Sequence, residues 1–100
     1  MADELRWESQ GSTLLLIGDL DRETLLPLWQ RRDTLLADKT GLDVAQLQRV
    51  DSSGLALLVH LREELHQRGV ELKISGVSDR LATLITLYNL QEIIPVTTAT

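Results

Sequence analysis

The sequence predicts an α/β protein: one small mixed β-sheet with helices packed on it, in a single domain. Three observations carry that prediction. Short apolar runs bounded by glycine and turn residues alternate with longer stretches of helical periodicity, in the order β-β-α-β-α-β-α with a short terminal piece. The length of 100 residues, 43% hydrophobic and 25% charged, suits one globular domain spanning 1–100, with an ordered core at about 4–95. Strands joined through helices also demand right-handed crossovers onto a shared sheet.

Residues 5–8 make a first short strand, and Ser9-Gln10-Gly11-Ser12 has turn composition. Residues 13–17, Thr-Leu-Leu-Leu-Ile, read as a strand buried on both faces, hairpinned to the first. Gly18-Asp19-Leu20-Asp21 reads as a loop. Residues 24–38 then form a helix, with Pro27 tolerated in its first turn. Leu25, Leu28, Trp29, Leu35 and Leu36 share its apolar face, yet Arg32 falls inside the same arc. Lys39-Thr40-Gly41 closes the helix, residues 42–45 are a brief strand, and 46–50 an extended connection.

From Ser53 a helix runs to about Arg68, stopped by Gly69. Leu57, Leu58, Leu61 and Leu65 form its core stripe. Beside that stripe a second line runs through Leu55, Val59, Arg62 and His66, apolar at its start and basic at its end. A helix serving the core alone has no need of it, which makes it a candidate edge for a partner. Residues 70–74 alternate as a half-exposed strand. Ser78 caps a last helix that packs Leu81, Leu84, Ile85 and Tyr88 inward, and Asn89 suits a left-handed stop. Residues 90–96 form a short apolar tail element.

Composition narrows the function classes. A net charge of -5 and the excess of acidic residues disfavour nucleic acid or an anionic membrane surface as main partner. The absence of cysteine removes disulfides, thiolate metal sites and cysteine catalysis. The acidic start, Met1-Ala2-Asp3-Glu4, leads into no apolar segment of signal type, and no apolar run approaches the length of a membrane helix. These features point to the cytoplasm.

Catalytic constellations fail on geometry. Asp51 and Ser52 are neighbours and cannot hold His60 between them as a triad demands. His60 and His66 stand six positions apart, on different faces of one helix, so they do not clamp a metal. Asp19 and Asp21 lack the glycine spacing of a calcium loop and read as solvated turn residues. No phosphate-binding or dinucleotide glycine pattern occurs. Neither a catalytic residue nor a cofactor or metal site is expected.

One stretch remains: Val50-Asp51-Ser52-Ser53-Gly54-Leu55, a small polar turn leading into the densest helical run. Asp and Ser here satisfy the free N–H groups of a helix start. Two hydroxyls exceed what one cap needs, leaving one to face outward. A plain cap, an anion site and a phosphorylation switch all fit the composition.

Residues 43–55, centred on that motif, resemble the signature of STAS domains, the fold of anti-sigma factor antagonists. Gly18-Asp19-Leu20-Asp21 is similar to the family's Gly-x-Leu-Asp loop. Leu25-Leu26-Pro27-Leu28-Trp29, Gly54-Leu55-Ala56-Leu57-Leu58 and Leu87-Tyr88-Asn89-Leu90 resemble the family branch that serves Mla-type phospholipid ABC transporters. The resemblance implies a non-enzymatic binding module, cytoplasmic and held at the inner membrane through the transporter. It also implies a partner, the ATPase subunit (MlaF-like) in complex with a permease, and a role in outer-membrane lipid asymmetry. The partner-binding residues would be Ser52, Ser53, Leu55, Val59 and Arg62, with Asp43, Asp51 and Gly54 as the structural frame. The alternative it implies is an anti-sigma factor antagonist, phosphorylated by a kinase partner at Ser53, or at Ser52. Serine stands at both positions, so the motif fits both branches, and the tracts outside it favour the transporter.

Overall fold

The structure, a computed structural model, describes residues 4–90. β1 (Arg6–Gln10) and β2 (Thr13–Leu20) form the expected antiparallel hairpin, with Gln10 opposite Thr13 across the turn at residues 11–12. β2 runs on through Gly18, Asp19 and Leu20, where the sequence suggested a loop. The extension is held by β3 (Gly41–Val50), which pairs with β2 in parallel as far as Leu20 opposite Val50. The same pairing draws residues 46–50, expected as a connection, into the strand. β4 (Lys73–Ser75) completes the order β1-β2-β3-β4, and residues 70–72 stay outside it.

β3 has ten residues and β2 has eight. The excess is absorbed at two register shifts, between Leu15 and Ile17 and between Gly18 and Asp19. Each shift sets two β3 residues against one on β2. Beyond β4, Gly76 (φ +74) passes so close to β3 that a Cβ would lie 2.6 Å from Ala45 Cβ and 2.7 Å from Asp43 Oδ1. Asp43 accepts a hydrogen bond from Ala45 N at 2.9 Å, tying down the first bulge.

Both parallel crossovers step the same way across the sheet, so right-handedness puts their helices on one face. That face carries Leu14, Leu16, Leu42, Val44 and Ile74, all buried, with Trp7 at its rim. On the opposite face Leu15 is buried between its strand neighbours Glu8 and Asp43. The helical layer comprises α1 (Leu25–Gln30), α2 (Arg32–Leu35), α3 (Ser52–Gln67) and α4 (Asp79–Leu87).

The single helix expected over 24–38 is thus two short ones, broken at Arg31. The break explains Arg32. Its Nη1 donates to the Trp29 carbonyl at 2.8 Å, its Nε donates to Glu64 Oε2 on α3 at 2.8 Å, and its guanidinium lies 3.8 Å above the Trp29 ring centre. α3 keeps its predicted stripe, with Leu57, Leu58, Leu61 and Leu65 buried, and Gly69 at φ +83 follows its end. Arg68 reaches Asp33 on α2 at 2.9 Å, and this hydrogen bond holds the Asp33 carboxyl below its usual pKa. α4 is capped by Ser78 Oγ, which accepts from Leu81 N at 3.2 Å, and Asn89 takes a left-handed φ of 60. Tyr88 does not pack inward as the periodicity suggested. It is 54% exposed at the C-cap of α4, where the preceding Leu87 is also exposed. The tail element expected from residue 90 lies, beyond Leu90 itself, outside the described residues.

Candidate functional site

β3 ends at Val50, and Asp51 turns the chain into α3. Asp51 Oδ1 accepts from Gly54 N at 2.9 Å and Oδ2 accepts from Arg22 N at 3.3 Å. The carboxylate therefore caps α3 and also fastens the loop after β2. Asp51 N donates to Leu20 O at 3.3 Å, and a Cβ at Gly54 would overlap that same carbonyl oxygen. Glycine is required by this close approach of helix start to strand end.

The loop after β2 is locked as well. Asp21 Oδ1 accepts from Glu23 N at 2.9 Å and Thr24 N at 3.0 Å. Thr24 Oγ1 donates to Asp19 O at 2.9 Å. Asp21 is thus the turn-former, while Asp19, expected as a solvated turn residue, is only 3% exposed, because β2 continues through it into the covered end of the sheet.

With Asp51 serving as the cap, both serines lie in the first turn of α3, and neither hydroxyl takes part in a hydrogen bond among the described residues. Ser52 is exposed and Ser53 half-buried. Ser52, Ala56 and His60 are all exposed and follow one another at helical spacing. Beside them lies a shallow groove of about 300 Å³ between α1 and α3, lined by Leu25, Trp29, Ser53, Ala56, Leu57 and His60. The His60 ring meets the Trp29 ring edge-on at 6.0 Å.

The expected partner edge along Leu55, Val59 and Arg62 is only partly there. Leu55 is 2% exposed and belongs to the core. It stands three residues before Leu58 and so extends the buried stripe, because α3 is covered on a wider arc than the sequence pattern indicated. Val59 and Arg62 are half-buried, and Arg62 Nη1 sits 3.3 Å from Glu63 Oε1. The sequence pattern did not single out Trp29, Ala56 and His60 as neighbours of the serines. The signal was present in the spacing of Ser52, Ala56 and His60, but only the packing of α1 against α3 shows what lies beside it. Among the described residues no three His, Cys, Asp or Glu side chains cluster as a metal site.

Residues 4–95 match the family model described as MlaB, STAS domain. The chain is an MlaB-type STAS domain. It is 42% identical over 90 residues to the intermembrane phospholipid transport system binding protein MlaB of Escherichia coli K12, covering 90% of this chain and 93% of that protein. The Haemophilus influenzae MlaB is 34% identical over 98 residues, covering 88% of this chain and 93% of its own. An anti-sigma-B factor antagonist of Listeria monocytogenes is 36% identical over 55 residues, covering 55% of this chain and 48% of that protein. Among solved structures, an anti-sigma factor antagonist from Mycobacterium paratuberculosis superposes with a TM-score of 0.64 at 22% identity, over 95% of this chain and 86% of that one. Unphosphorylated SpoIIAA gives 0.62 at 17% identity, over 83% and 82% of the two chains. These likenesses show that the STAS fold is shared. The MlaB-type domain keeps its Asp51-Ser52-Ser53-Gly54 turn at the carboxyl end of the sheet, where parallel α/β folds place their functional turns.

Proposed function

We propose that this chain is a non-catalytic subunit of an Mla-type phospholipid ABC transporter, docked on its ATPase subunit and supporting that subunit's activity. The reading places it in the cytoplasm, attached to the inner membrane only through the complex. Among the described residues no helix is long and apolar enough to cross a membrane. The observation that carries the proposal is the division of labour at the start of α3. Asp51 does the capping, so Ser52 and Ser53 present unengaged hydroxyls beside an apolar groove built on Trp29. Unpaired polar groups rimming an apolar, aromatic pocket are the anatomy of a protein interface.

Co-purification with the ATPase subunit tests this. Ser52→Arg and Ala56→Arg alter exposed positions and leave the fold intact, so loss of the ATPase from the pull-down, with an unchanged melting temperature, is the expected result. Retention of the ATPase by both variants overturns the proposal. Val59 and Arg62, at the flank of the surface, should matter less than Ser52.

The second reading, an anti-sigma factor antagonist switched by a kinase at Ser53, draws on the Listeria relative and on the free hydroxyl at a helix start, where the backbone N–H groups favour a phosphate. Against it, Ser53 lies half-buried in the groove beside Leu57 and Trp29, so a phosphate there would be driven into apolar surroundings. Incubation with an anti-sigma kinase and ATP decides the matter: a mass gain mapped to Ser53 supports the switch, and an unmodified protein removes it.

A further inference from the structure

On the α4 side of α3 the sheet is left incomplete. β4 pairs only with Gly41, Leu42 and Asp43 of β3. Past Ala45 the chain at Gly76 turns away toward α4, so from residue 46 to Val50 the outer edge of β3 has no strand opposite it among the described residues. Alternate backbone N–H and C=O groups along this edge have no partner among the described residues. The edge forms one wall of a groove of about 360 Å³, and α4 forms the other. Leu47, Val50, Leu81 and Leu84 give it an apolar floor, and Arg49 and Arg80 are also among its lining residues. Both arginines are exposed, and neither is within salt-bridge distance of a carboxylate among the described residues, although acidic residues outnumber basic ones 15 to 10 in the chain.

We propose that this edge receives an extended acidic segment of a partner protein, which adds a strand beside β3. Main-chain hydrogen bonds to residues 46–50 hold the segment, every second side chain enters the apolar floor, and its carboxylates pair with Arg49 and Arg80. Charge selects this occupant over a second copy of the chain. Two copies meeting edge to edge would set Arg49 and Arg80 of one against those of the other, an arrangement that blocks self-pairing. The surface is separate from the Ser52 surface, since the two grooves share no lining residue.

The test uses the full chain and a fluorescent eight-residue peptide alternating Val or Ile with Glu, with a control in which Lys replaces Glu. The acidic peptide should bind and shift amide NMR signals in residues 46–50 and the first two turns of α4. Arg49→Glu with Arg80→Glu, two exposed changes checked for folding by circular dichroism, should weaken it by about tenfold or more and favour the Lys peptide instead. N-methylation of alternate peptide bonds should abolish binding, and Ser52→Arg should leave it unchanged. Equal binding of the Lys peptide, or amide shifts confined elsewhere, overturns the proposal. So does dimerisation through this edge in ultracentrifugation, which assigns it to a second copy. Binding seen only after removal of residues 91–100 assigns it to the chain's own C-terminal segment and overturns it equally.

Discussion

At the scale of single residues, the start of α3 depends on two positions with different physics. Gly54 is a steric requirement: Gly54→Ala forces a methyl against the Leu20 carbonyl oxygen, which Asp51 N already uses. The expected cost is about 1–3 kcal/mol, read as a lower urea midpoint with an unchanged m-value. Asp51 is a hydrogen-bonding requirement. Asp51→Ala removes both the cap and the tie to Arg22 N, for a loss of about 0.5–2 kcal/mol, whereas Asp51→Asn keeps one acceptor for Gly54 N and costs less. Asp51 and Gly54 were legible from the sequence because a cap followed by a tight turn has a local signature. The burial of Leu55 was not, because a helical wheel shows where a residue points but not how far the covering elements extend around it. The seclusion of Asp19 was hidden for a similar reason. An aspartate after a glycine reads as a turn unless a neighbouring strand holds it extended.

At the scale of elements, the sequence pattern located the four strands and the regions that form helices, but misjudged lengths where tertiary pairing overrode local preference. β2 and β3 lengthened because each holds the other extended, while β4 lost residues 70–72 because β3 begins only at Gly41, opposite Lys73. The helix over 24–38 split at Arg31, and the arginine that fitted no amphipathic pattern, Arg32, became the link between α1 and α3. Arg32→Met should remove the guanidinium from the Trp29 face and from Glu64. Since the arginine side chain is 25% exposed, the expected loss is modest, about 1 kcal/mol or less. The clearer readout is tryptophan fluorescence: Trp29 should change in intensity and wavelength while Trp7, on β1, supplies an unchanged background. If the chain docks on the ATPase as proposed, the same variant should weaken that docking only slightly, because the groove residues Leu25, Ala56 and Leu57 are left in place.

At the scale of the whole molecule, two ion pairs with exposed carboxylates contribute a small part of the acid sensitivity. The Arg68 guanidinium holds the Asp33 carboxyl below its usual pKa, and the Lys39 ammonium does the same to Asp38. A carboxyl whose folded value lies below its unfolded one contributes stability above the unfolded value, and that contribution is lost as pH falls through the folded value. Melting temperature should therefore decline from about pH 5 downward, and Asp33→Asn with Asp38→Asn should flatten the decline slightly without changing the melt near neutrality by much. Carboxyl NMR titration of both residues should give midpoints below the ordinary aspartate value.

The two bulges of β3 also determine where the gene can change length. They act as phase corrections between strands of unequal residue count. Deleting or inserting one residue between Gly41 and Gly54 would invert the side-chain alternation downstream and deliver Asp51 rotated away from Arg22 and Leu20. The turn at Gly69, where an added Cβ would meet nothing within 4 Å, leads into residues 70–72, which lie outside β4, and carries no such phase. Insertions, epitope tags or permuted termini belong there, and a library of single-codon deletions should map the 41–54 segment as the intolerant stretch.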